Sequence, residues 1–579
     1  MALLKLTAFA GESPKVIPRL LADNAAQRAI NTRLDDGALT PIRKPYAVHE
    51  FVESNLKTIV RHNGEWLGWT EEVNAVPGPV ASDRLYITGN GEPKMRVGST
   101  VYPLAVPFPE TALTATVTGT ATQDIATTRL YVYTWVTGFS EESEPCPISA
   151  DVTWKPGQTV TLSGFEAIPT GRNITHQRIY RSQTSASTAQ LYLIAEREAT
   201  TADFVDTVAP EAFQEPIPST QYNPPPAGLR GLTAMPNGMM AAFDGKDLCF
   251  CEPYLPHAWP ASYTLTTDFP IVGLGAFGTS LVVMTTGNLY LVSGTAPESM
   301  VMEKLELNLP CVSSRGIVDM GYSIVYPSHD GLVVASSNGA SVVTKGLFSR
   351  DEWLRMNPST VLASQYDGRY FMPYSYIDEN DVPQAGTLII DLTGEQQFVI
   401  RADVVPQAMF HEVETGKLFM LIGSKVWEWD SIYRPFYQQT WKSKLFVMPK
   451  PANFGALLVE ADSTLSATDI EAIEAEIAEI KAENEALFAQ QYIGGELAGG
   501  ALNTVPVNGD LMQPMPVVAR TVAVNVYADR KLVATINKVN KPCRLPSGFL
   551  ATLWEVEVVS DMPIDQVLMA TTGTELMLA

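Results

Sequence analysis

The sequence predicts a mainly β protein whose largest part is a β-propeller. Between residues 221 and 450 an apolar strand, a glycine-containing turn and a second apolar strand recur, as in "LVVMTTGNLYLVS" and "IVYPSHDGLVVAS". The turn glycines follow one another at intervals of 42, 44, 37 and 48 residues; they are Gly245, Gly287, Gly331, Gly368 and Gly416. A period of about 40–45 residues with several strands per unit is typical of propeller blades. A stacked β-solenoid is the main alternative, although its repeats would be shorter.

Residues 51–105 carry the same phrase, in "IVRHNGEWLGW" and "RLYITGNGEPKM". A propeller often closes its ring with strands from both ends of its sequence, because closure removes open sheet edges. We therefore expect residues 51–105 to join residues 221–450 in one propeller of about six blades.

Residues 106–220 predict an Ig/fibronectin-like β-sandwich inserted between blades. The stretch "RLYVYTWVTGFSEESEPCPIS" contains a strand with Tyr131, Tyr133 and Trp135 at alternate positions, then a turn and another strand. "VTLSGF", "HQRIYRS" and "LYLIAE" add short strands at spacings that suit a sandwich. The proline cluster at 217–228 predicts a stiff linker that ends the insertion.

The two ends of the chain differ in character. Residues 1–50 are mildly basic and mix turns with a helix expected around Ala25–Ile30. This stretch is either an ordinary solvated arm or a docking arm that binds an acidic neighbour. Residues 500–579 predict a C-terminal β region, with a hairpin that turns at Ala528-Asp529-Arg530.

Residues 451–499 contain the one strongly helical stretch, an acidic segment at 466–490. A heptad seam is expected at positions spaced 3, 4, 3, 4 and 3; they are Ile470, Ile473, Ile477, Ile480, Asn484 and Leu487. Thr468 and Glu471 have the spacing of a capping box. Asn484 occupies a seam position, where a buried asparagine typically fixes register or oligomeric state. The helix either lies on its own sheet or associates with symmetry-related copies.

The same helix has an acidic stripe. Residues 466–490 contain seven acidic residues and one basic residue, Lys481. The stripe either serves solubility or forms a wall facing a polyanion that must pass without sticking. Under the second interpretation the channel-facing carboxylates are Glu474, Glu476, Glu479 and Glu483.

Composition excludes several classes of function. The net charge of −23 argues against general affinity for nucleic acid, which needs Lys and Arg to displace phosphate counterions. The five sparse cysteines do not form a disulfide framework, and we expect structural thiols. No apolar run approaches the roughly 18–20 residues that cross a bilayer, and the first residues lack a signal-peptide pattern. We therefore expect a soluble chain that is not exported by that route.

No catalytic, cofactor-binding or metal-binding residues are predicted, so we do not expect an enzyme. The six histidines are scattered, and no zinc-protease, nucleophile-elbow or phosphate-loop motif occurs. "GLGAFG" at 273–278 lies between strand repeats, and "SHDG" at 328–331 is explained by turn chemistry. A propeller that degrades glycans through a carboxylate pair remains an alternative, as does a glycan-binding adhesin.

Five phrases taken in order carry a resemblance to a known family. They are "LLADNAAQRAINTRLDDGALTPIRKP", "DRLYITGNGEPK", "YVYTWVTGFSEESEP…RIYRS", "PPPAGLRGLTAMPNGMMAAFDGKDLCFCEPYLPHAWP" and "LPSGFLATLWEVEV". Together they resemble the tail nozzle proteins (tail tubular protein B or hub-like proteins) of short-tailed, podovirus-type bacteriophages. The resemblance covers most of the chain and does not extend to the helix at 466–490.

The resemblance implies a structural virion protein without catalytic residues. Such proteins form a six-fold ring below the adaptor ring of the portal, extend the DNA ejection channel and help to hold tail fibres or spikes. The implied partners are therefore further copies of the chain in a hexamer, the tail adaptor protein, fibres or spikes, and viral DNA that passes without specific binding. The implied location is the tail of the virion, after assembly in the host cytoplasm.

Overall fold

The computed structural model describes residues 3–184, 189–212, 214–378, 381–392, 397–491 and 513–577. The protein is mainly β, with 46% of its residues in strands and 9% in helices. It divides into two compact units. Unit 1 comprises Met1–Ile59, Tyr326–Val334 and Ser341–Ala579, and unit 2 comprises Val60–Val325 and Ala335–Ala340.

Small antiparallel sheets make up residues 58–342. Four sheets have four strands each: Asn74–Pro77, Arg84–Thr88, Lys94–Val97 and Thr100–Pro103; Arg230–Ala234, Met240–Asp244, Asp247–Phe250 and Leu265–Thr266; Ile271–Phe277, Ser280–Thr285, Leu289–Ser293 and Val301–Leu305; Val318–Asp319, Ile324–Ser328, Gly331–Ser336 and Gly339–Val342. Smaller sheets are formed by Thr58–His62 with Glu65–Trp69; by Thr127–Arg129 with Val152–Trp154; by Thr114–Thr118, Thr159–Ser163 and Phe204–Asp206; and by Tyr131–Thr137, Ile174–Thr184 and Ala189–Glu198.

A ten-stranded sheet is the largest element of unit 1. Its strands follow one another as Ser364–Tyr366, Arg369–Ile377, Pro383–Asp391, Phe398–Ala402, Ala26–Ile30, Gln439–Ser443, Ala551–Ser560, Val522–Ala528 and Lys531–Ile536, and Phe446–Ala452 also pairs with Ala551–Ser560. The other sheets are Leu3–Leu6, Ile564–Ala570, Ala456–Ala461 and Cys543–Arg544; Ala408–Glu412, Lys417–Ile422, Lys425–Glu428 and Tyr46–Glu50; and Thr32–Arg33 with Thr40–Pro41.

The described residues contain three α-helices: α1 (Arg350–Arg355), α2 (Ala467–Gln491) and α3 (Gly573–Met577). Short 3₁₀ turns occur at Pro236–Gly238, Ala261–Tyr263, Pro297–Ser299, Ser314–Gly316, Thr344–Gly346 and Pro358–Thr360. No helix among the described residues has both the length and the apolar character needed to cross a bilayer.

The four-stranded sheets that carry the sequence repeat are meanders, in which strands adjacent in sequence are hydrogen-bonded neighbours. Gly245 and Gly416 have φ values of 62° and 66° at their hairpin turns, as the repeat predicts. Gly287 has a different role, because a Cβ atom there would lie 2.5 Å from Cδ2 of Phe269. One sheet of this type is completed from the N-terminal part of the chain: Tyr46–Glu50 pairs with Lys425–Glu428.

Two three-stranded sheets in residues 114–206 enclose one hydrophobic core. Tyr131, Trp135 and Ile179 from one sheet and Val160 and Leu162 from the other are buried in a single cluster. Tyr131, Tyr133 and Trp135 all enter this core, as the alternation predicts, but Val132 between them belongs to the same cluster. The whole strand Tyr131–Thr137 is nevertheless buried, so both of its faces are covered.

The helix expected around Ala25–Ile30 is wrong, because Ala26–Ile30 is a strand. It pairs antiparallel with Gln439–Ser443 and makes a parallel contact with Phe398–Ala402 in the middle of the ten-stranded sheet. Ala26 and Ala29 are fully buried there. Pairing on both sides of the strand overrides the high helix propensity of its alanines.

The N-terminal stretch is part of the core of unit 1 and is not a solvated arm. Leu4, Phe9, Leu39 and Ile42 all belong to the same buried cluster as Trp441. At the other end, the expected C-terminal hairpin is confirmed: Val522–Ala528 pairs with Lys531–Ile536. Asp529 and Arg530 form its turn with φ values of 45° and 65°.

Candidate functional site

The acidic helix α2 lies in unit 1 and carries seven acidic residues and one basic residue. It begins at Ala467, and Ser466 caps it. Ser466 Oγ accepts a hydrogen bond from the Asp469 amide (3.1 Å), and Asp469 Oδ2 accepts one from the Ser466 amide (3.1 Å). The capping box predicted at Thr468 and Glu471 is therefore wrong by two residues. The helix has already started there, since the Ile470 amide donates to the Ser466 carbonyl.

The buried face of α2 is rotated from the predicted seam. Ile473 and Asn484 are 9% exposed, but Ile470, the first residue of the seam, is 36% exposed. Ile477, Ile480 and Leu487 are partly buried. Two carboxylates lie on the buried side instead: Asp469 is 6% exposed and Glu476 is 9% exposed.

Asp469 is held by two arginines. Arg43 Nη2 lies 2.7 Å from Oδ1, and Arg520 Nη2 lies 2.9 Å from Oδ2. Both guanidinium groups also stack on the ring of Phe436, at 4.1 and 4.8 Å from its centroid. Burial acts to raise the pKa of the Asp469 carboxyl, but hydrogen bonds from Arg43 and Ser466 hold that pKa below its usual range.

Two further ion pairs continue along the helix. Lys44 Nζ lies 2.7 Å from Glu476 Oε1. Arg434 Nη1 donates to Glu479, and this hydrogen bond lowers the pKa of the Glu479 carboxyl. We call Arg43, Lys44, Arg434 and Arg520 the basic seat of α2. Carboxylates at positions 469, 476 and 479 thus fix one side of the helix to cations from three distant parts of the sequence.

Asn484 is satisfied within the chain. Its side-chain amide donates to the Gln513 carbonyl (2.9 Å) and accepts from the Gln513 amide (2.8 Å). Gln513 Nε2 also donates to Glu483 Oε2 (2.8 Å). A buried asparagine with these partners fixes the position of α2 on its own unit, which is the first of the two arrangements expected from the sequence.

A cavity of about 410 Å³ lies against the buried face of α2. Its apolar wall includes Val404, Ile422 and Ile480, and Trp427 and Glu476 also line it. Trp427 Nε1 and Glu476 Oε2 are buried and have no hydrogen-bond partner among the described residues. The cavity is therefore amphipathic, with a donor and an acceptor beside an apolar wall.

The structure separates the four carboxylates expected to face a channel. Glu474 is exposed and has no ion-pair partner among the described residues. Glu476 and Glu479 are bound by Lys44 and Arg434, and Glu483 accepts from Gln513. Of these four, Glu474 alone makes no contact with a described charged or polar side chain, and the basic seat neutralises Glu476 and Glu479.

Other parts of the chain offer no site for metal or thiol chemistry among the described residues. No group of three His, Cys, Asp or Glu side chains there could hold a metal ion. Burial raises the pKa of Cys146 and Cys249 to about 11, and that of Cys251 and Cys311 to about 12. These four thiols are buried and free, and the structural role expected from the sequence stays a prediction. "GLGAFG" is the interior of the strand Ile271–Phe277 and its continuation into a turn, and it precedes no helix.

Sequence reasoning missed the basic seat. Its four residues are spread over positions 43, 44, 434 and 520, so no local motif connects them. The mildly basic character of residues 1–50 was the available indication. Two of those cations do bind an acidic partner, and that partner is a helix of the same chain.

Comparisons with known proteins give only distant likenesses. The chain aligns with Hsv2 of Kluyvelomyces marxianus at 12% identity and a TM-score of 0.22, over 45% of this chain and 68% of that one. It aligns with PorZ, a surface component of the type-IX secretion system of Porphyromonas gingivalis, at 11% identity and a TM-score of 0.22, over 68% of this chain and 44% of that one. At these TM-scores neither likeness carries an argument. No family model and no curated protein sequence matches the chain.

Proposed function

We propose that the protein is a structural component of the short tail of a bacteriophage. In this proposal, six copies form a ring that extends the DNA ejection channel below the portal and its adaptor. The sequence resemblance to tail nozzle proteins suggests the role. The observation that carries it is the series of four-stranded antiparallel meanders, one of which Tyr46–Glu50 completes from the N-terminal side. Four-stranded antiparallel sheets are the blades of a β-propeller, a domain that the resemblance to the nozzle family implies, so these sheets support the proposal.

The mechanism of the proposed ring is geometric and electrostatic. Repeated contacts between identical copies make the ring. A net charge of −23 on each copy repels the phosphate backbone, so DNA passes without binding to the wall. This repulsion belongs to the chain as a whole, since Glu476 and Glu479 are neutralised by their ion pairs.

The proposed partners are the tail adaptor on one side of the ring and fibres or spikes held at its periphery. The proposed place of action is the virion tail, after assembly in the host cytoplasm. The buried thiols suit such a reducing compartment.

Immunogold labelling tests this function. An antibody raised against the purified chain is applied to phage particles from the source culture, and gold is expected at the tail below the capsid. Pre-adsorption of the antibody with the purified chain provides the control and should remove the label. Absence of label from both intact and disrupted particles would refute the proposal. The soluble protein would then be assayed for cleavage of polysaccharides.

A further inference from the structure

The C-terminal hairpin of unit 1 is a basic surface on an acidic protein. Five cations lie in and just after it, and we call them the basic hairpin surface: Arg530, Lys531, Lys538, Lys541 and Arg544. All five are exposed, and none forms an ion pair with a described residue. Asp529 is the only acidic residue between positions 521 and 550, in a chain with 63 acidic and 40 basic residues.

The same hairpin lies at the border of a sheet. Lys531–Ile536 is the last strand of the ten-stranded sheet, and it pairs only with Val522–Ala528 among the described residues. Leu532, beside the first lysine of the strand, is 55% exposed. Contacts to a nucleic acid are mostly with phosphates, which would leave Leu532 exposed, whereas a protein partner can bury it.

A complementary surface exists on α2. Its outward face carries Glu471, Glu474 and Glu485, which are exposed and make no ion pair with a described residue. Successive separations of 3 and 11 residues place all three on one side of a helix with 3.6 residues per turn. This side is opposite the face that the basic seat holds, so it stays available while α2 is docked on its own unit.

Opposite charges are therefore exposed on two separate parts of unit 1. Glu471 and Glu485 are about 21 Å apart along the helix, at a rise of 1.5 Å per residue. Lys531 begins the hairpin's second strand, and Lys538 lies two residues beyond the end of that strand at Ile536. The outward face of a helix from a second copy, laid over the hairpin, would bring its carboxylates to these cations.

We propose that the basic hairpin surface docks the outward face of α2 from a second copy of this chain. The contact joins two different surfaces, so each copy can bind one neighbour through its hairpin and another neighbour through α2. A contact of this heterologous kind generates a closed ring when its rotation closes. The inference rests on the proposed ring and deepens it, because it names the surfaces that join neighbours. It also assigns the free carboxylates of α2 to the contact between copies and not to the channel wall.

Reciprocal charge reversal tests the contact. K531E/K538E reverses one surface, E474K/E485K reverses the other, and the quadruple variant restores opposite charges with the polarity exchanged. Each full-length variant is supplied to host cells infected with phage that lack their own copy of the gene. Tail-bearing particles are then counted, and self-association of the purified chain is measured by sedimentation. K5E/K246E is the matched control, because Lys5 and Lys246 are exposed and it changes the net charge as K531E/K538E does.

Each double variant is expected to lower self-association and tail assembly about tenfold, since like charges face each other across the contact. The quadruple variant should recover most of the loss, and the control should behave as the wild type. Equal assembly of both double variants and the control would overturn this contact while leaving the ring intact. Loss without reciprocal rescue, together with weakened retention of duplex DNA by K531E/K538E, would overturn it in favour of a polyanion site. Failure of the wild-type chain to assemble in particles at all would instead refute the proposed function.

Discussion

Asp469 is a single residue on which the docking of α2 depends. Two guanidinium groups converge on its carboxylate, and both also stack on Phe436. The residue caps its own helix as well, through the reciprocal bonds with Ser466. Loss of its charge therefore weakens the bond that its side chain accepts from the Ser466 amide, and it leaves two partly buried cations without their counter-ion.

We expect D469N to destabilise the docked helix by about 3 kcal/mol, the scale of a broken buried ion pair. Hydrogen exchange of the α2 amides at neutral pH measures this as faster opening. The lowered pKa of Asp469 fixes the pH dependence. Its stabilisation is complete above the unfolded pKa of about 3.9 and is lost as the pH falls through the lower folded value. The difference between wild type and D469N should therefore shrink below about pH 4. E474Q is the control and should change the opening free energy by less than about 0.5 kcal/mol.

Cysteine reactivity gives a second prediction at the residue scale. Cys146, Cys249, Cys251 and Cys311 are buried, and their raised pKa values keep them as thiols at pH 8. Cys543 is only partly buried. Iodoacetamide is expected to modify native protein at Cys543 alone, because alkylation needs an accessible thiolate. Peptide mass spectrometry identifies the site, and C543S should abolish labelling. Modification of a buried cysteine before unfolding would contradict this assignment.

At the scale of elements, α2 shows how a periodic pattern can be right about a helix and wrong about its orientation. Its existence could be predicted, because a long run of Ala, Glu and Ile has high helix propensity and a seven-residue apolar repeat. Its orientation could not. The apolar repeat predicts that Asp469 and Glu476 face solvent. In the structure both are buried, because Asp469 forms ion pairs with Arg43 and Arg520, and Glu476 forms one with Lys44. These cations lie far from the helix in the sequence, so the residues around the helix do not predict the ion pairs.

Two isoleucine substitutions distinguish the observed face from the predicted seam. I473A removes a side chain that is 9% exposed and should cost about 2 kcal/mol or more of docking free energy. I470A removes one that is 36% exposed and should cost less than about 1 kcal/mol. Both lose the same atoms at similar helix positions, so each controls for the other. If both substitutions reduce hydrogen-exchange protection in α2 equally, Ile470 packs as the predicted seam requires, and the observed buried face is contradicted.

The C-terminal hairpin was predictable for the opposite reason. Its two strands are runs of mainly apolar residues, and Asp529 and Arg530 form the turn between them. The strand Ala26–Ile30 was not predictable, because its alanines favour a helix locally and only two distant strands decide otherwise. Elements that pair with neighbours in the sequence could therefore be predicted from local residues. The strand at the centre of the ten-stranded sheet could not, because its partners are distant in the sequence.

At the scale of the whole molecule, unit 1 depends on its first fifty residues. They supply a central strand of the ten-stranded sheet, the fourth strand beside Lys425–Glu428, and core residues such as Phe9 and Ile42. Unit 2 has its own cores in continuous sequence. Truncation at the N-terminus therefore removes core residues and strands from unit 1 but none from the cores of unit 2.

A chain that lacks residues 1–50 should lose the fold of unit 1 and keep that of unit 2. Limited proteolysis is expected to leave a resistant fragment close to residues 60–325, because the cores within it are untouched. The intact chain under the same protease should also yield fragments that contain residues after 341. Survival of those C-terminal fragments in the truncated chain would show that the N-terminal strands are dispensable.

The pairing of Tyr46–Glu50 with Lys425–Glu428 also imposes a delay during synthesis, because the first strand is made long before its partner. The two strands are separated by the 374 residues between Glu50 and Lys425. At about 5–20 residues per second, a ribosome needs roughly 20 to 75 s to make that interval. The strand Tyr46–Glu50 therefore stays unpaired outside the ribosome while the following residues are synthesised and fold. A chaperone that shields an unpaired early strand during this delay would raise the yield of folded chain more than one acting after release.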